Sequence, residues 1–223
     1  MDRRWAGAIV VQAVLAGVAG AVVSLPVLGS RPHPTSTPLD EPRRLHPKGP
    51  FAHADTGFPM PERAGPFVRV AVTQFDAEGR HVSAGYNGLA GDPLPLPVVS
   101  TVFVYPAPPA ADLDARFDEV LTNIGKAHGG AKPLFRKNVV IGERRIVTRY
   151  AGFGYEEPWG GIAEPVDLRS YVVFYRWGGY WVKWRTTTPG PIDPVRMKAI
   201  VALTESLVPP ETVPAEAQKA TNP

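Results

Sequence analysis

From Phe67 onward the chain switches between two rhythms of apolar and polar positions, the two-residue period of a strand and the 3.6-residue period of a helix. Phe67-Val68-Arg69-Val70-Ala71-Val72-Thr73-Gln74-Phe75 is rich in β-branched and aromatic residues. Asp76-Ala77-Glu78-Gly79 follows as a turn, and Arg80 to Tyr86 as a return strand, so the segment predicts a hairpin. Pro97 to Tyr105 is a near-continuous run of β-formers and predicts a central strand covered on both faces. The period then changes. Behind Asp112, a good N-cap, Leu113, Phe117, Val120, Leu121 and Ile124 fall on one stripe of a helix that Gly129-Gly130 ends.

Two further strands are expected near Asn138 to Ile141 and Arg145 to Tyr150, joined by Gly142-Glu143-Arg144, and after them an irregular glycine-rich loop from Gly152 to Leu168. Tyr171 to Trp177 and Tyr180 to Thr186 flank Gly178-Gly179, the signature of a two-residue hairpin turn. In that register Trp177 faces Tyr180, Tyr175 faces Val182 and Val173 faces Trp184. One face of the hairpin is wholly apolar and aromatic, and is expected to pack under the Leu113–Ile124 stripe. The other carries Val172, Phe174, Arg176, Trp181, Lys183 and Arg185. Asp193-Pro194 sets the start of a last helix, with Met197, Ile200, Val201, Leu203 and Leu207 as its apolar positions and Pro209-Pro210 as its stop. The order of elements predicts an α+β domain, a mostly antiparallel sheet with two packed helices.

What precedes this domain has a different character. From Trp5 to Val23 only Gln12 interrupts Ala, Gly, Ile, Val and Leu, and Arg3-Arg4 stands in front. A basic start and an apolar run predict an export leader or membrane anchor over residues 1–30. Ala19-Gly20-Ala21 and Val27-Leu28-Gly29 are candidate cleavage sites, while the run also approaches a bilayer span. Both outcomes stay open: a periplasmic or secreted protein, or one held to the inner membrane by residues 5–28. Prolines crowd residues 31–66, which predicts a semi-extended linker, and residues 209–223 read as a loose tail. That leaves a single domain over 67–208.

Composition narrows the chemistry. The chain has no cysteine, so disulfides, thiolate catalysis and cysteine-bound zinc are excluded. The net charge is +3, and acids and bases nearly balance within 67–208, which argues against nucleic acid as a partner.

The hairpin Tyr171 to Arg185 followed by the proline-capped helix resembles uncharacterised exported bacterial domains, and the element order is similar to the Mog1/PsbP-like α/β/α sandwich. The resemblance covers roughly Phe67 to Val208. It implies an accessory or binding role, because that superfold hosts mostly binding and assembly factors. NTF2-like cone folds, which also finish in long hairpins, are the alternative.

No phosphate-binding loop, nucleophile elbow, zinc-protease motif or calcium loop is found, and no catalytic residue, metal ligand or cofactor is assigned. His33, His46 and His53 lie in the expected linker, and His128 at a helix C-terminus suits the helix dipole. Two groups could bind. Arg145, Arg149, Lys183 and Arg185 belong to a cationic set suited to an anionic surface or acidic partner, or to a solvated face. Tyr155, Glu156, Glu157 and Trp159 put two aromatics beside two carboxylates in the expected 152–168 loop, which suits a sugar or peptide. The reading is an exported accessory or binding domain without catalytic activity, with a partner in the envelope. The alternative is an envelope-acting hydrolase with its site near 152–168.

Overall fold

The computed structural model describes residues 37–89, 91, 94, 96–142 and 145–208. The apolar leader, residues 31–36, the tail from 209 and the expected turn residues Glu143 and Arg144 lie outside the described residues. Along the chain run β1 (Pro38–Leu45), β2 (Phe51–Ala52), β3 (Pro59–Met60), β4 (Arg63–Ala64), β5 (Phe67–Asp76), β6 (Val82–Gly88), β7 (Val98–Pro106), α1 (Leu113–Ala127), β8 (Pro133–Ile141), β9 (Ile146–Trp159), β10 (Ile162–Trp177), β11 (Tyr180–Pro189) and α2 (Pro194–Leu207). The large sheet has the order β1-β5-β6-β7-β11-β10-β9-β8, with β4 also paired to β5, and every pairing is antiparallel. The fold is α+β and mostly sheet. No helix among the described residues is long and apolar enough to cross a membrane.

The final hairpin has the register its Gly178-Gly179 turn dictates: Trp177 opposite Tyr180, Tyr175 opposite Val182, Val173 opposite Trp184. Both glycines sit at positive φ, 52° and 83°, as a primed turn requires. The first helix also has its expected cap, with the Asp112 carboxylate accepting from Ala115 N at 2.7 Å, and it buries Phe117, Val120, Leu121 and Ile124. Asp193 caps the second helix in the same way, 2.8 Å from Arg196 N.

Four expectations are corrected. First, residues 38–64 are not a free linker. They form β1 to β4 and place Phe58, Met60 and Ala64 in the core. The prolines are tolerated because β1 is an edge strand, where a missing amide donor costs no ladder bond, and its register shifts between Pro38 and Arg43. His53 of this segment is buried, with Nδ1 at 3.0 Å from Thr56 Oγ1 and Nε2 at 3.1 Å from the Arg80 carbonyl. Second, residues 152–168 are not a loop: β9 and β10 run through them and turn at Gly160-Gly161. Third, the aromatic hairpin face with Tyr175, Val182 and Trp184 packs with Phe58, Phe67, Tyr86 and α2, not under α1. α1 takes the opposite face, over Val172, Phe174, Trp181, Ala151 and Phe153. Fourth, α2 turns Arg196, Ala199, Leu203 and Leu207 inward, while Met197 and Val201 are exposed. In β7, Val98, Ser100, Val102 and Val104 are buried on the α2 side, whereas the other side is only half-covered.

The core therefore has two apolar halves, one on each side of the sheet. On the α2 side, the Tyr175 hydroxyl and the Trp184 indole nitrogen are buried without a hydrogen-bond partner. An unsatisfied buried hydroxyl carries a desolvation cost with no compensating bond. Tyr175→Phe is accordingly expected to leave stability unchanged or raise it by about 1 kcal/mol, measured by denaturant unfolding.

Candidate functional site

Because α1 lies across β10 and β9, it leaves the β5–β7 part of its own sheet face uncovered. Lys183 stands at this boundary. On one side its β10 neighbour Phe174 is fully buried under α1. On the other its β7 neighbour Phe103 lies with its ring centroid 4.0 Å from the ammonium. Among the described residues, no carboxylate, hydroxyl or carbonyl accepts a hydrogen bond from Lys183. Burial, with Arg185 and Arg116 nearby, pulls its pKa down to about 8.

Two other cations flank it, and both have partners, although the Arg116 Nε is buried without one. Arg185 is two residues along β11 and so on the same face. It donates from Nε to Ser170 Oγ at 3.0 Å and from Nη2 to Tyr155 Oη at 2.8 Å, and also to His128 Nε2. Arg116, reaching over from α1, pairs with Glu119, and its guanidinium lies 5.7 Å from the Tyr105 ring centre. Beyond Phe103 the face continues as rings, with Phe75 and His81 centroids 4.5 Å apart, His81 and Tyr105 5.3 Å, and Phe75 and Phe103 6.5 Å. Burial drives the His81 pKa down to about 4, so the imidazole is neutral near pH 7.

His128 closes the far end of this face. Its ring stacks on Tyr155 at 4.1 Å, and Nδ1 lies 2.5 Å from Glu157 Oε1. Arginine can only donate, so Nε2 accepts from Arg185 and the proton sits on Nδ1, facing Glu157. Burial, with help from Arg185, holds the His128 pKa below its ordinary value against the opposing pull of Glu157. A carboxylate orienting an imidazole is half of a nucleophile-activating relay. The nitrogen that would serve a nucleophile is here bonded to Arg185, and Ser170 is buried behind that guanidinium.

The eight residues singled out from the sequence therefore separate. Tyr155, Glu157, Arg185 and Lys183 share the α1-side face. Glu156 is exposed and, next to Glu157 in a strand, points to the opposite side of the sheet, so the two carboxylates cannot act as a pair. Trp159 is half-buried in a crevice with Asn87, Leu89, Pro97 and Val99. Arg149 is held by Asp114 of α1 through bonds of 2.5 and 2.8 Å. Arg145 is exposed in the β8–β9 turn at φ 52°. Six residues that the sequence reading did not place there complete the face: Phe75, His81, Phe103, Tyr105, Arg116 and His128. Their convergence depends on the sheet order and the seat of α1. The alternating pattern of β7 was the one available signal, and it marks Phe103 and Tyr105 as sharing a side.

A separate open cleft of about 540 Å³ lies between the start of α1 and the Gly178-Gly179 turn, lined by Leu113, Ile146, Val147, Trp177 and Trp181. Arg176, the titratable residue among its described lining, donates to the Pro109 carbonyl at 3.1 Å. No cluster of side chains suited to a metal ion occurs among the described residues.

The Lys183 environment has a stability consequence. The folded-state pKa lies below the ordinary lysine value of 10.5, so between about pH 8 and pH 10.5 the unfolded chain binds more protons than the folded one, and stability rises with pH there. Lys183→Met is expected to remove that rise and to stabilise the protein by on the order of 1 kcal/mol at pH 7, since it takes away an unpaired half-buried charge. Urea unfolding from pH 7 to pH 10.5 measures both. Compared with protein-family models and with curated proteins, the sequence matches none.

Proposed function

We propose that this chain is an exported accessory or binding domain, without catalytic activity, and that it binds an anionic ligand on the α1-side face of its sheet. The observation that carries this reading is Lys183, an ammonium half-buried between Phe103 and Arg185 with no acceptor among the described residues. A charge placed in this way costs stability, and the cost is recovered when an anion arrives. The neighbouring groups favour binding over turnover. Arg185, His128, Glu157 and Ser170 satisfy one another, so among the described residues no general base here is directed at a free nucleophile. The leader read from Arg3 to Val23 supplies the export half of the proposal. With β1 beginning at Pro38, a retained anchor would hold the domain on a spacer of few residues, close to the bilayer.

Thermal unfolding in the presence of small organic carboxylates and inorganic phosphate tests the binding half. The wild-type protein should gain stability with an anion at pH 7 and less at pH 9.5, where Lys183 is largely neutral, and Lys183→Met should gain none. An equal gain in the variant, or no gain with any anion, would overturn it.

A further inference from the structure

We propose that the ligand of this face is a small monocarboxylate with a flat aromatic body, its carboxylate on Lys183 Nζ and its ring on the Phe75–His81–Tyr105–Phe103 shelf. The inference rests on the anion-binding reading above and specifies its ligand.

The charge count argues for one negative charge. Three cations come together here, but Arg116 is paired with Glu119, and Arg185 is spent on Ser170, Tyr155 and His128. Of the three, Lys183 is the one with no ion-pair or hydrogen-bond partner among the described residues, while Arg116 keeps its buried Nε unbonded. A phosphate dianion calls for at least two cations or a helix N-terminus. The nearest helix start, that of α1, is already capped by Asp112, and its first turn carries Asp114, paired with Arg149. An anionic membrane or polyanion needs an array of exposed cations. On this side of the sheet, Arg136 and Arg149 are instead paired with Asp118 and Asp114 of α1.

The surroundings argue for a ring. Phe103, Phe75, His81 and Tyr105 form a continuous aromatic surface that begins at the ammonium, and all four are half-buried. His81 contributes to it as a neutral ring. Asp76, the acid nearest that ring, is turned away into the β5–β6 turn, where its two oxygens accept from Arg80 N at 2.8 Å and His81 N at 3.0 Å. Among the described residues, the shelf thus presents no free carboxylate to repel an acid. Offset or edge contacts with such a surface favour an aromatic ligand over an aliphatic one of equal size.

The test is a set of NMR titrations of the full-length protein, labelled at lysine and aromatic side chains. The probes are phenylacetate, hexanoate, 2-phenylethanol, inorganic phosphate and phosphatidylglycerol vesicles, each against wild type, Lys183→Met and Phe103→Leu. Phenylacetate should shift Lys183, Phe103, His81 and Tyr105 in wild type. Hexanoate and 2-phenylethanol should each bind about tenfold more weakly, and phosphate and vesicles should leave Lys183 unmoved. Phe103→Leu, at a half-exposed site that spares the fold, should lower phenylacetate affinity several-fold, and Lys183→Met should abolish the preference for phenylacetate over 2-phenylethanol. Lys183-dependent binding of phosphate or vesicles without phenylacetate would overturn the ligand class and leave the anion site standing. Hexanoate binding as tightly as phenylacetate would overturn the aromatic body. Absence of any Lys183-dependent anion binding would overturn the inference and the proposed function together.

Discussion

Trp181→Ala is expected to destabilise the protein by about 3–5 kcal/mol, as for deletion of a large aromatic side chain from a packed core. Trp181 is 1% exposed and stacks on Phe174 with ring centroids 5.1 Å apart. Phe174 in turn stacks on Phe117 of α1 at 6.0 Å. Removing the indole opens the contact between helix and sheet at its middle and strips the Arg176 guanidinium of the ring it lies 5.8 Å from. Trp184→Ala, on the other face, is expected to cost a comparable amount, because Trp184 is 4% exposed within the α2-side core. Denaturant unfolding of the two variants measures both. A harmless Trp181→Ala would mean that α1 does not seat on this face.

The second large effect is expected at Arg196. Its side chain is almost wholly buried, yet every polar atom has a partner: Nε bonds Asp193 Oδ2 at 2.7 Å, and Nη1 bonds Thr188 Oγ1 at 2.7 Å and the Pro189 carbonyl at 2.5 Å. Nη2 donates to the Pro191 carbonyl. One guanidinium thus ties the start of α2 to the end of β11. Arg196→Leu is expected to cost about 3–5 kcal/mol, because it leaves Asp193 Oδ2, Thr188 Oγ1 and the Pro189 and Pro191 carbonyls without their donor. Arg196→Lys should recover little of this, since an ammonium cannot reach acceptors arranged around a planar fork. Equilibrium unfolding decides the point, and a loss under 1 kcal/mol would contradict it.

The sequence made the local geometry readable wherever one signal dominated. Gly178-Gly179 fixed a turn, and alternation on both sides fixed the pairing. Asp112 and Asp193 marked helix starts by the same capping chemistry the structure shows. What could not be read was which side of the sheet each helix takes. The final hairpin carries a tryptophan on both faces, Trp181 and Trp184, and each needs cover, so the pattern does not say which helix supplies it. The 152–168 stretch misled for a different reason. Gly152 and Gly154 look like loop residues, but in β9 they lie beneath the Phe135 ring and the Arg169 side chain, where a Cβ would collide. Prolines at 38–61 suggested a linker because their tolerance on an edge strand is a tertiary property. The candidate site was half legible. Lys183 and Arg185 share a face by strand period alone, but His128 joins them only because β9 brings Tyr155 and Glu157 to the end of α1.

The most direct measurement of the central claim is the pKa of Lys183, read from its side-chain NMR signal as pH is raised, with and without phenylacetate. An ammonium left without a partner on a half-buried aromatic face should titrate near pH 8 in the free protein, and its pKa should rise when the carboxylate binds. A value at the ordinary 10.5, unmoved by ligand, would mean that Lys183 is a solvated surface lysine and that this face is not a binding site.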